Sequence, residues 1–380
     1  MSVATTLPPL SAGRKLADKF EIVGVLGEGG TGIVYDARRI EQGDKVALKV
    51  IHQHLAGDPQ IRGRFTREVA ILRRLEGDHL CPVLESGEIP DPRRENVGLL
   101  YMALQRVDGK PLDVLLRDGG PLSLVRVVTI VLDVCEALRE AHSQGVIHRD
   151  LKPGNVLLRE GDRAVVVDFG MAKIVTGGGT GTTALTQHNM VFGTPEYMAP
   201  EQARGDELDA RCDVYAAGVI LYEMLTGRVP FSAPTPLNVL TAHLTEAPKP
   251  PRERAPERGI TAALEAVAMH ALAKDPAQRY ATAGALAMAI RAALASPDDA
   301  EVVRPASRVN VAVDTTDAHS ATLPAPMPMA PLKAAPRPVL PSVHSIAPPE
   351  RTSPLWIVVC VLAALAGIAL GAWLSMRNGR

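Results

Sequence analysis

The segment 146–170 constrains the fold of this chain most strongly, because it places polar residues at the ends of two short apolar runs. The first run, Val146-Ile147, leads into the segment 148–155, which reads HRDLKPGN. The second run, 165–167, ends at Asp168. Runs of this kind predict two buried strands, and the residues that follow each strand are expected to face a common cleft.

Three side chains in this segment have the chemistry required for phosphoryl transfer from a metal-bound nucleotide. Asp150 can accept the proton of an attacking hydroxyl group, and Asn155 and Asp168 offer the hard oxygen atoms that Mg²⁺ prefers. The segment resembles the catalytic and metal-binding loops of protein kinases. Lys152 occupies the position where serine/threonine kinases have a lysine that contacts the transferred phosphate. The same resemblance implies that Arg149 pairs with a phosphorylated activation loop.

A glycine-rich segment, residues 27–32, precedes this region and has the spacing G-x-G-x-x-G. Apolar runs flank it on both sides, so it predicts a strand–turn–strand rather than the strand–turn–helix of a dinucleotide fold. An ordinary hairpin has the same pattern, and the spacing alone does not separate the two. Resemblance to protein kinases implies that this loop covers the phosphates of ATP. The residues then expected around the nucleotide are Leu26, Gly27, Glu28, Gly29, Gly32, Val34 and Ala47.

Lys49 lies in the apolar segment 46–49, which predicts a strand. Taken alone, a lysine in such a segment usually points to water. The resemblance instead places it over the α- and β-phosphates, paired with Glu68. The helix that carries Glu68 is predicted to begin at Asp58-Pro59, an N-cap residue followed by a first-turn proline. Its apolar face comprises Phe65, Val69 and Leu72.

The segment 99–109 resembles the last strand of the small lobe and the hinge that receives adenine. Leu104 occupies the position that controls access to the back of the pocket, and Gln105 and Val107 are expected to contact the nucleotide. The family often has a glutamate and an aromatic residue where this chain has Gln105 and Arg106. Because the hinge recognises adenine mainly through backbone groups, the resemblance still implies ATP binding.

Residues 192–201, which read FGTPEYMAPE, resemble the segment on which protein kinases seat the substrate peptide. Small-molecule phosphotransferases of related fold usually lack this sequence. The resemblance also implies a buried ion pair between Glu201 and Arg279, which would be costly to break singly. Asp213 is implied to hold the backbone of the catalytic loop.

Two helices of the large lobe are predicted from their periodicity and their ends. The first begins after Ser123, an N-cap residue, and stops before Gly145. His142, near its end, is predicted to be a surface or capping histidine. The second helix, 212–227, is hydrophobic nearly all round, which indicates burial at the centre of the lobe.

The segment between Gly170 and Gly193 is rich in glycine and threonine. A flexible surface loop without a regulatory role is one interpretation of that composition. The resemblance favours another, in which a threonine is autophosphorylated and its phosphate pairs with Arg149. The candidate residues are Thr180, Thr182, Thr183 and Thr186.

The resemblance covers residues 20–293 and follows an N-terminal extension of residues 1–19. Residues 294–354 are rich in proline and alanine and contain no aromatic residue, so they predict a disordered linker. Residues 355–374 carry no charge and, at about 1.5 Å per residue, match the thickness of about 30 Å of a bilayer core. They predict a transmembrane helix, followed by a short tail of residues 375–380.

Trp356 and Trp373 lie near the ends of the predicted transmembrane helix, where interfacial aromatic residues belong. Its Gly367 and Gly371 form a G-x-x-x-G pattern, so a homodimer is expected through these glycines or through the kinase domain. Because ATP and reduced cysteines are cytoplasmic, the expected location is the inner (plasma) membrane, with a single span and the kinase domain in the cytoplasm.

The sequence therefore predicts an α+β, two-lobed protein kinase fold, with a β-rich small lobe, a helical large lobe, a disordered linker and one transmembrane helix. The expected activity is serine/threonine phosphorylation of protein substrates with ATP and Mg²⁺ or Mn²⁺. The formal net charge of -1 gives no reason to expect nucleic-acid binding. The alternatives are a nucleotide-binding pseudokinase, disfavoured by the complete set Lys49, Asp150, Asn155 and Asp168, and a small-molecule phosphotransferase, disfavoured by the segment 192–201.

Overall fold

The computed structural model describes residues 9–91, 98–118, 120, 122–170 and 194–295. These residues form a small lobe built on one antiparallel sheet and a large, mainly helical lobe. Residues 296–354 of the predicted linker, the predicted transmembrane helix and the candidate phosphorylated threonines lie outside the described residues, while Leu294, the first residue of the predicted linker, still belongs to the last described helix. Within the described ranges, no helix combines the length and the apolar character needed to cross a bilayer.

Among the residues described, the small lobe contains six strands and two helices. The strands are β1 (Lys15–Leu16), β2 (Phe20–Gly29), β3 (Gly32–Arg39), β4 (Lys45–Ile51), β5 (Val83–Pro90) and β6 (Gly98–Gln105). They form one sheet in the order β1-β2-β3-β4-β6-β5, and every neighbouring pair is antiparallel. The helices α1 (Gln53–Ala56) and α2 (Pro59–Leu72) follow β4. The predicted strand–turn–strand at the glycine-rich segment is therefore confirmed as the β2–β3 hairpin.

The two faces of this sheet have different roles. One face buries an apolar core that includes Phe20, Ile22, Ile33, Tyr35, Val46 and Leu48. Because alternate residues of a strand point to opposite faces, Val34, Ala47 and Lys49 lie on the other face. Val34 is directly opposite Lys49 in the pairing of β3 with β4. Three residues predicted to surround the nucleotide therefore share one face of the sheet.

Part of the predicted N-terminal extension belongs to the small-lobe core. Leu10 and Leu16 are buried in the same apolar cluster as Tyr35. The backbone N–H of Leu10 donates a hydrogen bond of 3.1 Å to the Tyr35 hydroxyl. These leucines remove apolar surface from water, which gives this part of the extension a fixed place beside the sheet.

The beginning of α2 is as predicted. The Asp58 side chain accepts a hydrogen bond of 2.7 Å from the backbone N–H of Gln60, which satisfies one of the free donors of the first turn. The predicted apolar face is buried and comprises Phe65, Val69 and Leu72.

The large lobe contains eight helices and a short three-stranded sheet among the residues described. The helices are α3 (Leu112–Asp118), α4 (Leu124–Ser143), α5 (Pro200–Arg204), α6 (Arg211–Thr226), α7 (Pro236–Thr245), α8 (Pro251–Arg254), α9 (Ala262–Ala271) and α10 (Ala283–Leu294). The strands β7 (Lys110–Pro111), β8 (Val156–Leu158) and β9 (Ala164–Val166) pair antiparallel in that order. Short 3₁₀ turns at Pro153–Asn155 and Pro195–Tyr197 flank the predicted site.

Helices α4 and α6 form the centre of this lobe. Ser123 accepts a hydrogen bond of 3.3 Å from the N–H of Arg126, and α4 ends before Gly145, whose φ is +72°. Helix α6 is buried along almost its whole length and ends before Gly227, whose φ is +76°. The predicted helix ends and the predicted burial of α6 are confirmed, because left-handed glycines terminate both helices.

Gly218 lies on α6 where α9 packs against it, and a Cβ atom added at Gly218 would lie 2.6 Å from the Cβ atom of Ala271. We therefore expect Gly218→Ala to lower the free energy of unfolding by about 1–3 kcal/mol, the usual cost of overpacking. The matched control is Gly63→Ala in α2, where nothing lies within 4 Å of the added atom. It should raise the free energy of unfolding by about 0.5–1 kcal/mol. Urea denaturation measures both changes, and a stabilised Gly218→Ala protein would contradict the close packing.

Candidate active site

Asp213, in the first turn of α6, holds the backbone of the predicted catalytic loop. Its carboxylate accepts hydrogen bonds from the N–H groups of His148 (2.7 Å) and Arg149 (2.9 Å). The ring Nε2 of His142 lies 2.8 Å from the same carboxylate. Burial opposes ionisation of Asp213, but these bonds outweigh it, and the pKa of the carboxyl lies below its ordinary value. The predicted role of Asp213 is confirmed.

His142 has a role that the sequence did not predict. Its side chain is 10% exposed and bonded to Asp213, so the predicted surface position is wrong. The two residues are far apart in the chain, and only the packing of α4 beside α6 brings them together.

The first apolar run, Val146-Ile147, does not form the predicted strand. The Val146 N–H bonds to the carbonyl of Ala141 at the end of α4. The carbonyl of Arg149 accepts a bond of 2.8 Å from the side chain of Gln202. The backbone groups here are thus bonded to a helix end and to side chains rather than to a neighbouring strand.

His148 connects the two predicted loops. Its Nε2 lies 2.9 Å from the carbonyl oxygen of Val167, and its Nδ1 lies 3.3 Å from the N–H of Asp150. Because a carbonyl only accepts and an N–H only donates, these contacts assign the hydrogen of the ring to Nε2. The ring also packs against Phe169 at 4.6 Å between ring centroids. His148 therefore fixes the loop that carries Asp150 beside the strand end that carries Asp168.

Asp150, Lys152 and Asn155 lie together on the catalytic loop. The ammonium of Lys152 donates a hydrogen bond of 2.9 Å to the Asp150 carboxylate. The Asn155 Nδ2 donates a hydrogen bond of 2.8 Å to the backbone carbonyl of Asp150. The side-chain oxygen of Asn155 is therefore the atom that could bind a metal ion. The Val167 N–H bonds to the backbone carbonyl of Asn155 at 2.9 Å. These bonds place the two predicted metal ligands, Asn155 and Asp168, on directly connected backbone.

Lys49 pairs with Asp168. Its Nζ lies 2.9 Å from Asp168 Oδ1, and the Lys49 side chain is 5% exposed. Burial opposes ionisation of Asp168, but the Lys49 ammonium outweighs it and holds the pKa of the carboxyl below its ordinary value. Asp168 has a φ of +63°, a backbone conformation that non-glycine residues rarely adopt and that clusters at functional sites.

The predicted ion pair between Lys49 and Glu68 is not among those formed by the described residues, where the Lys49 ammonium pairs with Asp168. The attraction between the buried Lys49 ammonium and the Asp168 carboxylate is strong, because little water is present to screen the two charges. Glu68 lies partly exposed on α2. Its role toward the nucleotide stays a prediction.

The hinge differs from the family pattern in a specific way. The Arg106 Nη1 donates a hydrogen bond of 2.6 Å to the carbonyl of Val107, and the Arg106 Nε lies 3.5 Å from Asp36 Oδ1. The Gln105 N–H bonds to the carbonyl of Pro82, the residue before β5. Asp36 is opposite Ala47 in the β3–β4 pairing, and so lies on the same face as the predicted nucleotide residues. Arg106 therefore links the hinge to this face of the small lobe.

A small apolar cavity lies behind the hinge. Leu104 lines it together with Phe169 and Asp168 from the loop after β9. Other lining residues are Leu72, Leu75, Leu80, Cys81, Val83 and Met102. Leu104 thus forms part of the wall of this cavity. Its control of access to the back of the pocket stays a prediction.

Glu201 and Arg279 form the predicted buried ion pair. The Nη1 and Nη2 atoms of Arg279 each donate 2.7 Å to one carboxylate oxygen of Glu201, and the side chains are 0% and 6% exposed for Arg279 and Glu201. The remaining guanidinium hydrogens are bonded to the carbonyls of Ala273, Arg211 and Lys274. The charge is therefore fully compensated, as a buried pair requires.

Fold and site together define a two-lobed protein kinase domain. Residues 20–290 match the family described as protein kinase domain, and the chain belongs to that family. The matched segment is a bacterial serine/threonine protein kinase domain of the Hanks type. The predicted two-lobed fold and the predicted class of kinase domain are confirmed.

The relatives of this chain include named bacterial kinases. It is 40% identical to the serine/threonine-protein kinase pkn3 of Myxococcus xanthus over 327 residues, 82% of this chain and 58% of that protein. It is 39% identical to PknB of Mycobacterium tuberculosis over 268 residues, 70% and 42% of the two chains. The crystal structure of the Mycobacterium tuberculosis PknI kinase domain is similar, with a TM-score of 0.58, 29% identity and coverage of 75% and 100%. The chain spans about half the length of the curated relatives it matches.

We expect Arg279→Met to lower the free energy of unfolding by about 3–5 kcal/mol, because it leaves the Glu201 carboxylate buried without its counter-charge. The matched control is Arg126→Met, which breaks a two-bond pair with Asp162 whose side chains are 35% and 33% exposed. That loss should be about 1 kcal/mol or less. Urea and thermal denaturation of both variants provide the comparison. Equal, small losses would show that burial does not decide the strength of these pairs.

Proposed function

We propose that this chain is an ATP-dependent serine/threonine protein kinase that transfers the γ-phosphoryl group of ATP to protein hydroxyl groups. The proposal rests above all on the hydrogen-bonded connection, through His148 and Asn155, between the loop of Asp150 and the strand end of Asp168. That connection brings a candidate base and two candidate metal ligands to one place. The relatives named above are themselves described as serine/threonine-protein kinases.

Asp150 is the proposed general base. Its carboxylate takes the proton of the substrate hydroxyl as the oxygen attacks the γ-phosphorus, and the bond to the bridging oxygen of ADP breaks. Lys152 is the proposed contact of the transferred phosphoryl group, and its ammonium 2.9 Å from Asp150 supports that role. Its ammonium also holds the carboxylate in position before substrate binds.

The donor set fits a hard divalent cation. Asn155 offers a side-chain oxygen, and Asp168 offers a carboxylate whose lowered pKa keeps it ionised. Two protein oxygen ligands are typical of Mg²⁺ that is bound together with nucleotide phosphates, and Mn²⁺ accepts the same ligands. A cation bound there offsets the negative charge of the phosphates. Lys49, beside Asp168, provides a further positive charge for the α- and β-phosphates.

Two alternatives have less support. A pseudokinase that binds nucleotide without transfer would not need the loop of Asp150 bonded to the strand end of Asp168. A small-molecule phosphotransferase would not need the segment 194–201 that is anchored through the pair of Glu201 with Arg279. This anchor supports a peptide substrate over a small molecule.

Arg149 supports regulation through the activation loop. Its Nε is buried and has no hydrogen-bond partner in the part of the chain that the structure describes. A buried guanidinium nitrogen without a partner is costly, and a phosphate oxygen would satisfy it. We infer that a phosphorylated threonine among residues 180–186 supplies that oxygen.

We expect Asp150→Asn to abolish phosphoryl transfer to the protein itself and to a generic protein substrate, because the amide accepts no proton at neutral pH. The measurement is radiolabel incorporation with MgATP, with phosphothreonine mapping of residues 180–186 in the same sample. The matched control, Asp118→Asn at an exposed position, should label like the wild type. Circular dichroism establishes that both variants are folded. Equal labelling of Asp150→Asn and wild type would refute the assigned base.

We further propose that residues 355–374 anchor the chain in the inner (plasma) membrane by a single span, with the kinase domain in the cytoplasm. The uncharged composition of this segment and its terminal tryptophans support the proposal. A homodimer through Gly367 and Gly371, or through the kinase domain, would bring two catalytic domains together at the membrane surface and favour phosphorylation of one copy by the other.

We expect the full chain, produced in bacteria, to stay with the membrane pellet after an alkaline carbonate wash. A chain that ends at Ala295 should be in the supernatant, since it lacks the apolar segment. Protease added to intact spheroplasts should leave the kinase domain uncut, because the membrane shields the cytoplasm. For the dimer, Gly367→Ile should reduce self-association in a membrane reporter assay. Recovery of the full chain in the carbonate supernatant would contradict the anchor.

A further inference from the structure

The tip of the glycine-rich loop is tied to one residue outside it, His52. The β2–β3 turn lies between Gly29 and Gly32. The backbone N–H of His52 donates a hydrogen bond of 3.1 Å to the carbonyl of Thr31. The ring Nε2 of His52 lies 2.8 Å from the carbonyl oxygen of Gly29. Since a carbonyl only accepts, Nε2 is the donor in this contact.

Side-chain packing does little to fix the tip of this loop. Cβ atoms added at Gly29 and Gly30 would have nothing within 4 Å, and glycine has the widest range of backbone conformations. By contrast, a Cβ atom at Gly32 would collide with the carbonyl of Val50. The loop is thus packed at one end, and at its tip the two bonds from His52 restrict it.

The ring bond of His52 sets the direction of a backbone donor. The carbonyl of Gly29 and the N–H of Gly30 belong to one planar trans peptide and point in opposite directions. With the carbonyl held against His52, the Gly30 N–H points away from His52. A loop that binds phosphates does so through such backbone N–H groups, so their direction matters for affinity.

His52 is itself well anchored. It follows β4, the strand that carries Lys49, and its carbonyl accepts hydrogen bonds of 2.9 Å from the N–H groups of Leu55 and Ala56 in α1. Its ring stacks on that of His54, with 5.5 Å between centroids and 21° between planes. His52 therefore couples the loop to the strand of Lys49.

We propose that His52 is a positioning residue for nucleotide binding, which holds the glycine-rich loop in the conformation that covers the phosphates. This inference rests on the proposed function, in which that loop covers ATP. His52 acts through Gly29 and Thr31 and not on the γ-phosphoryl group. Its loss should therefore change the KM for ATP and leave kcat unchanged.

The test compares His52→Leu, His52→Gln and the control His54→Leu in the full chain. His52→Leu introduces a side chain of similar size that has no hydrogen-bond donor. The KM for ATP should then rise about five-fold, the factor that corresponds to a neutral hydrogen bond of about 1 kcal/mol. His52→Gln offers an amide N–H with similar reach and should return the KM most of the way to the wild-type value. His54→Leu, which alters the stacked neighbour without a bond to the loop, should behave as the wild type.

Calorimetric titration with a non-hydrolysable MgATP analogue provides a second readout that needs no phosphoryl transfer. If wild type and His52→Leu bind the analogue equally well, His52 has no positioning role, while the proposed kinase function stands. If the wild type binds the analogue but transfers no phosphate, the proposed function fails, and the binding comparison still decides the role of His52. Should His52→Leu not fold, His52→Gln and the shorter His52→Asn replace it, and equal affinity for those two variants would overturn the inference.

Discussion

The carboxylate of Asp213 is the interaction on which the candidate site depends. A carboxylate that leaves water without partners is strongly disfavoured, and here two backbone N–H groups and one imidazole compensate it. The same bonds also satisfy the backbone N–H groups of His148 and Arg149, which are not paired with a strand. The central burial of α6 fixes Asp213, and Asp213 in turn fixes the loop that ends at Asn155.

Two contacts at the segment after β9 connect the small-lobe sheet with this loop. The pair of Lys49 with Asp168 joins the sheet to the segment after β9, and His148 packs on Phe169 in the next position. Both contacts converge on residues 168–169. The conformation of that short segment therefore determines how the lysine of one lobe meets the catalytic loop of the other.

Features that depend on neighbouring residues could be predicted from the sequence. The N-caps at Asp58 and Ser123, the glycine stop at Gly145 and the alternation along β3 and β4 each depend on a few adjacent positions. The pair of Glu201 with Arg279 was accessible only through resemblance, since nothing local connects the two. The family and the kinase domain could thus be predicted almost entirely from short motifs.

Other features depend on how distant elements meet, and the sequence does not encode them locally. The contact of His142 with Asp213 requires α4 to lie beside α6, and the partner of Lys49 depends on whether Asp168 or Glu68 comes within reach. The run Val146-Ile147 has the composition of a strand, but it pairs with no strand in the part of the chain that the structure describes. The burial of Leu10 depends on its packing beside Tyr35, a residue distant in the chain, and no local pattern predicts that contact.

The arginine at the hinge has a consequence for chemical selectivity. Because the Arg106 guanidinium already donates a hydrogen bond to the carbonyl of Val107, a compound that presents a donor to that carbonyl must compete or share it with a charged group. Inhibitor scaffolds that only accept hydrogen bonds from the hinge should therefore bind this chain more tightly than scaffolds that must donate a hydrogen bond to the Val107 carbonyl.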